Sequence, residues 1–178
     1  MKPTIVTDGI INEPIYRKEQ KKLLWVLKEA NAKEGDDGWD MCLFLRERSV
    51  EQGGLFSYSK WKNTFGLLCK ISWGVLEPNL SFEEVENFDD KKLSSILDRI
   101  AYINLKKEAG GARVDYNNFE NKIDLPSINS QIEIINPNLI ICGGTFHFIK
   151  KGIPDFDYNK EWFYHDKNGI RWINGYHT

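Results

Sequence analysis

The chain has 178 residues, 41% hydrophobic and 13% aromatic, with a formal net charge of −2. That length fits one folded domain over residues 1–178 and is short for two. The near-neutral balance excludes a globally basic nucleic-acid binder, so any contact with nucleic acid must rest on a local patch. Cys42, Cys69 and Cys142 are far apart in sequence and show no CxxC or Cys/His ligand spacing, so no metal centre is expected. The odd cysteine count fits a reducing compartment. No apolar run is long enough to span a bilayer, and the first residues lack the apolar core of a leader. A cytoplasmic monomer away from membranes is the expectation.

Met1 to Tyr16 lacks periodicity and is predicted to be a surface arm. Leu23-Leu24-Trp25-Val26-Leu27 is a short continuous apolar run, the pattern of a strand covered on both faces. The polar stretch Lys28 to Gly38 follows as a loop, and Trp39 to Arg48 fits a short helix. After the glycine-bearing loop Glu51 to Ser57, Ser59 is placed to cap a helix whose apolar stripe includes Phe65, Leu68 and Cys69. Pro78 ends it, and Ser81-Phe82-Glu83-Glu84 has capping-box form. Lys91 to Arg99 reads as one further helix. Ile100 to Leu105 is a second buried strand. Leu125 to Ile135 is an amphipathic helix stopped by Pro137, and Leu139 to Cys142 is a third strand. Gly143-Gly144-Thr145 turns into a short helix through Ile149, and Ile170 to Ile173 is the fourth strand.

Strands alternating with helices predict an α/β fold: three layers, α/β/α, around a central, mainly parallel, four-stranded sheet. In such sheets ligands bind at the carboxyl ends of the strands. Four segments follow those ends. Lys28-Glu29-Ala30-Asn31 offers a carboxylate that can orient water, although it equally fits a solvated ion pair. Asn104 offers a donor and an acceptor suited to a base edge, or to satisfying its own turn. Lys106, Lys107 and Arg113 beyond it could grip phosphates, as could the Gly143-Gly144-Thr145 turn. His177, beyond the last strand, can donate to an anionic leaving group. His147 and His165 read as surface or packing residues.

Taken in order, these segments resemble the uracil-DNA glycosylase superfamily over most of the chain after Leu23. Lys28-Glu29-Ala30-Asn31-Ala32 is similar to a Gly-Glu-Ala-Pro-Gly loop, keeping Glu-Ala. Ala101 to Lys107 resembles the strand ending in an asparagine and a lysine-bearing loop. Gln131 to Pro137 and on through Gly144 is similar to the family's "QIE…P…I…LG" helix and strand, and Tyr176-His177-Thr178 to its His-Pro-Ser motif. The resemblance implies a DNA glycosylase that flips a uracil or other damaged base and hydrolyses its N-glycosidic bond. By position, Glu29 or Asn31 would place the water or stabilise the sugar cation, Asn104 would read the base, and His177 would stabilise the departing anion. Phe56 would stack on the flipped base. The iron–sulfur cysteines of the nearest branch have no counterparts, so no cofactor is implied. Two other expectations fit the same residues: a non-catalytic nucleic-acid-binding member, or an enzyme acting on free nucleosides or nucleotides.

Overall fold

The computed structural model describes residues 4–31, 38–50, 59–110, 119–153, 163–166 and 168–175. The eight strands among them are β1 (Val6–Thr7), β2 (Gly9–Ile10), β3 (Leu23–Leu27), β4 (Trp39–Asp40), β5 (Ala101–Asn104), β6 (Leu139–Gly143), β7 (Phe163–His165) and β8 (Arg171–Gly175). The helices are α1 (Glu13–Tyr16), α2 (Met41–Val50), α3 (Ser59–Leu76), α4 (Phe82–Glu86), α5 (Asp90–Ser94), α6 (Leu125–Ile135) and α7 (Phe146–Ile149).

The fold class is α/β, and the four expected strands lie side by side as β5-β3-β6-β8, all parallel. The central sheet nevertheless has six strands, not four. β2 pairs antiparallel with β5 at one edge, and β7 pairs antiparallel with β8 at the other. β1 and β4 form a separate parallel pair. Strands of two or three residues carry no readable alternation, which is why these elements left no sequence signal.

β3 is buried along its whole length because both of its faces are covered. Leu23, Trp25 and Leu27 face a core shared with α2, α3 and α5, whereas Leu24 and Val26 face one shared with α6 and α7. The chain from Thr4 to Tyr16 is therefore not a surface arm. Val6 and Tyr16 are buried, and β1 and β2 join the sheets.

Local chemistry explains most element ends. Asp124 caps α6 by accepting from the Ser127 amide, and Asn136 ends it in the left-handed region at φ 53° just before Pro137. Ser81 and Glu84 form the expected reciprocal cap of α4. Ser59 is the first residue of α3. The helix predicted from Lys91 to Arg99 divides instead into α5 and a 3-10 segment, Ser95–Arg99. Ser94 and Ser95 donate their hydroxyls to carbonyls of the preceding turn, a competition that disfavours a continuous α-helix.

Gly74 lies exposed within α3, and a Cβ added there meets nothing within 4 Å. Gly74→Ala is expected to stabilise the fold by about 1 kcal/mol, since alanine lowers unfolded-chain entropy without a clash. Urea unfolding would show this as a higher midpoint at unchanged slope.

Candidate functional site

The exits of β5, β3, β6 and β8 all lie along one edge of the sheet, because the four strands are parallel neighbours. β3 and β5 pair Leu27 with Asn104, and β6 and β8 pair Gly143 with Gly175. The segments carrying Glu29, Asn104 and Gly143-Gly144-Thr145 are thereby brought to this edge. Phe56, Arg113 and His177 lie outside the described residues.

Beyond β5 the chain bends at Leu105 and continues as a strap to Gly110. On one side it accepts support from the β3 exit, with the Leu105, Lys106 and Gly110 amides donating to the carbonyls of Leu27, Lys28 and Ala30. On the other side the Val6 amide donates to Lys107 and the Ala109 amide to Thr4. Successive side chains of an extended segment point to opposite faces. Lys106 and Lys107 therefore diverge, and each meets a different carboxylate.

Lys106 Nζ contacts Glu29 Oε2, and this pair is enclosed, with side-chain exposures of 11% and 5%. The Glu29 carboxylate also lies against Gly110, where an added Cβ would fall 2.2 Å from Oε1. A side chain at position 110 would therefore have to displace the Glu29 carboxylate from its present place. Asn31, the alternative to Glu29, is exposed and bridges to Gly110 through its backbone.

Lys107 Nζ donates to Asp8 Oδ1 at 2.6 Å and to Gln131 Oε1 at 2.7 Å. The Asp8 side chain is fully buried and collects further donors. Gln131 Nε2 reaches Oδ1 at 2.9 Å, while the Asn104 backbone N–H and Nδ2 reach Oδ2 at 2.8 and 3.3 Å. Tyr102 donates its hydroxyl to Asn104 Oδ1 at 2.9 Å. Burial pulls the Lys107 ammonium below the ordinary lysine value, with Asp8 opposing that shift. Burial, reinforced by Asp8, pushes the Tyr102 phenol well above its usual range.

These contacts correct two expectations. Asn104 is fully buried, with both ends of its amide held by Tyr102 and Asp8, so in this conformation it orders the β5 exit and does not face a base. Lys106 and Lys107, expected to grip phosphates, are in this conformation the counter-ions of Glu29 and Asp8. The glycine turn is similar: the Gly144 amide donates to Gly175 O at 2.7 Å, and the Thr145 hydroxyl to Val26 O at 2.7 Å. Gly144 adopts φ 67°, and Thr145 is completely buried. The turn thus locks β6, β8 and β3 together, and these two donors are not available to a phosphate. Gly143 is the last ladder residue of β6.

Sequence reasoning missed Asp8 and Tyr102 altogether. It also set aside His147, which stands on α7 at the β6 exit with Lys28, Lys150, Lys151 and Glu120 acting on it. Burial, Lys28 and Lys150 hold its imidazole below the usual value, and Glu120 works in the opposite direction.

Burial holds Cys42 and Cys142 thiols up to about 12 and pushes Cys69 higher still, which argues against a thiolate nucleophile at any of the three. Among the described residues no group of His, Cys, Asp and Glu is arranged to hold a metal ion, and no helix is long and apolar enough to cross a membrane. A depression of about 440 Å³ lies at the opposite, amino edge of the sheet. Three of its polar side chains are engaged within the fold: Asn129 bonds Gly152 O, Asn138 bonds Gln20 and Lys22, and Asp166 accepts from Asn168, Ile170 and Trp172. The chemistry-bearing groups gather at the carboxyl edge. No protein-family model and no curated protein matches the chain.

Proposed function

We propose that this chain is a uracil-DNA glycosylase-like protein that hydrolyses the N-glycosidic bond of a flipped uracil or other damaged base in DNA. The observation that carries the reading is the parallel neighbourhood of β5, β3, β6 and β8. The strand exits leading to Asn104, Glu29, Gly143-Gly144-Thr145 and Tyr176-His177 share one edge, as the resemblance requires. Cleavage of the bond develops positive charge on the sugar and negative charge on the base. Pre-placed groups of opposite sign lower that barrier. Glu29 is the group for the sugar cation, and His177 is the group for the departing anion. Asn104 acts here as a positioning residue, tying β5 to Asp8.

Uracil release from single-stranded and mismatched DNA tests the proposal. Wild type is expected to release the base, with Glu29→Gln and His177→Ala each slowing release by about a hundredfold or more. Absence of release across a panel of modified bases would remove the catalytic reading.

One observation favours a second reading, a member that binds nucleic acid without turnover. Glu29 is roofed by the strap and neutralised by Lys106, so its carboxylate is not presented to a substrate in this conformation. Salt-dependent DNA binding with no base release would select it.

A further inference from the structure

We propose that the depression at the amino edge of the sheet binds a small zwitterion with an apolar side chain, an α-amino acid or short peptide, whose ammonium faces Glu133 and whose carboxylate faces Lys22. The proposal does not depend on the glycosylase-like reading, since this edge lies across the sheet from Glu29 and Asn104.

Segments remote in sequence build this depression. Lys22, Asn138 and Ile170 immediately precede β3, β6 and β8, so parallel pairing sets the three strand starts side by side. Glu133 and Asn136 come from the end of α6, Ile153 from the chain beyond α7, and Asp166 from the turn between β7 and β8. The three engaged side chains are struts between these walls. Asn138 ties the β6 start to Gln20 and Lys22, Asn129 ties α6 to Gly152, and Asp166 holds its turn to the Trp172 indole. Walls braced against one another make a pre-formed cavity, which lowers the cost of ordering a ligand. Its volume of about 440 Å³ lies within the range of small-molecule sites, about 300–1,000 Å³.

The lining sets the chemistry. Ile132, Pro137, Ile153 and Trp172 are buried and supply an apolar floor. Asp166 uses both oxygens on the Asn168 and Ile170 amides and the Trp172 indole. Lys22 and Glu133 are different: among the described residues neither side chain forms a hydrogen bond or an ion pair, with the other or with a third group. Two opposite charges on one apolar depression, neither neutralised within the protein, complement a ligand that carries both signs around an apolar body. A ligand of one sign would be attracted by one residue and repelled by the other. The Asn136 side-chain amide, also without a partner among the described residues, offers the donor and acceptor that a peptide group requires. Arg17 already answers the Ile134 and Ile135 carbonyls, so the end of α6 adds little negative charge to the site.

Titration of isotope-labelled protein with leucine, alanyl-leucine, N-acetyl-alanyl-leucine and alanyl-leucinamide tests the site, read by NMR at the Gly169 and Ile170 amides and the Trp172 indole. Alanyl-leucine is expected to shift these signals saturably, and loss of either terminal charge to weaken binding about three- to tenfold. Leucine bound as tightly as the dipeptide, or more so, identifies a free amino acid as the ligand class, and tighter binding of the dipeptide identifies a peptide. Glu133→Gln is expected to weaken the dipeptide by the same factor and leave the N-acetyl form unaffected. Lys22→Gln is expected to weaken the dipeptide and leave the amide form unaffected. Neither substitution removes a side-chain bond among the described residues, and the same spectra report the folding of each variant. Absence of saturable shifts with every probe overturns the site, as does binding indifferent to both terminal charges and to both variants. Base release is a separate readout, and its absence removes the glycosylase reading alone.

Discussion

Replacing Asp8 by alanine is expected to cost about 3–5 kcal/mol, enough to leave a domain of ordinary stability marginal. Its buried carboxylate is the shared acceptor for the Asn104 backbone and side chain, the Lys107 ammonium and the Gln131 amide. Alanine leaves the buried Asn104 donors without their acceptor and the partly buried Lys107 with Gln131 Oε1 in place of a counter-ion, and an orphaned buried donor is penalised by its full desolvation. It also uncouples three elements at once, because Asp8 joins the β1–β2 segment to β5 and to α6. Lys107→Met in the Asp8→Ala background should recover part of the loss, since the stranded charge is then gone. Urea unfolding of the single and double variants measures this. A loss below 1 kcal/mol for Asp8→Ala would mean that the network is not a structural anchor.

Lys106→Met is expected to cost a similar amount, about 3–5 kcal/mol, for a related reason. Glu29 is almost completely enclosed beneath the Leu105–Gly110 strap, so removing Lys106 leaves a buried carboxylate without its counter-ion. Glu29→Gln combined with Lys106→Met should recover at least half of the loss, whereas Lys106→Arg, which keeps the positive charge, should lose less stability than Lys106→Met. Denaturation of the four proteins in the double-mutant cycle gives the coupling energy directly. Additive effects would contradict the pairing. The same cycle bears on function, because the strap must release Glu29 before its carboxylate can approach a sugar.

The parts of the fold that were legible in the sequence are those with a strong local pattern. β3, β5 and β6 announce themselves because strands covered on both faces need continuous apolar runs, as in Leu23–Leu27 and Leu139–Cys142. α6 is equally plain, since Ile128, Ile132 and Ile135 form its buried stripe and Pro137 closes it. The edge strands were hidden because Gly9–Ile10 and Phe163–His165 are too short for any period to show.

The site was less legible, for a different reason. Its contacts join residues remote in sequence: Asp8 meets Asn104 across 96 positions and Gln131 across 123. Nothing local in Thr7-Asp8-Gly9 marks that carboxylate as a hub. The roles of Lys106 and Lys107 depend on the strap being extended, which separates two adjacent lysines that look interchangeable as a pair. Asn104 was found in the expected segment, yet its amide is turned toward Asp8 and Tyr102.

The most direct test of the proposed site is to locate a bound substrate analogue, using DNA with a 2′-fluorinated deoxyuridine whose glycosidic bond resists cleavage. In a co-crystal structure the base is expected at the carboxyl edge between the exits of β3, β6 and β8, its sugar near Glu29. A base bound at the amino-edge depression, or DNA bound on a helical face with no nucleotide at this edge, would contradict the account.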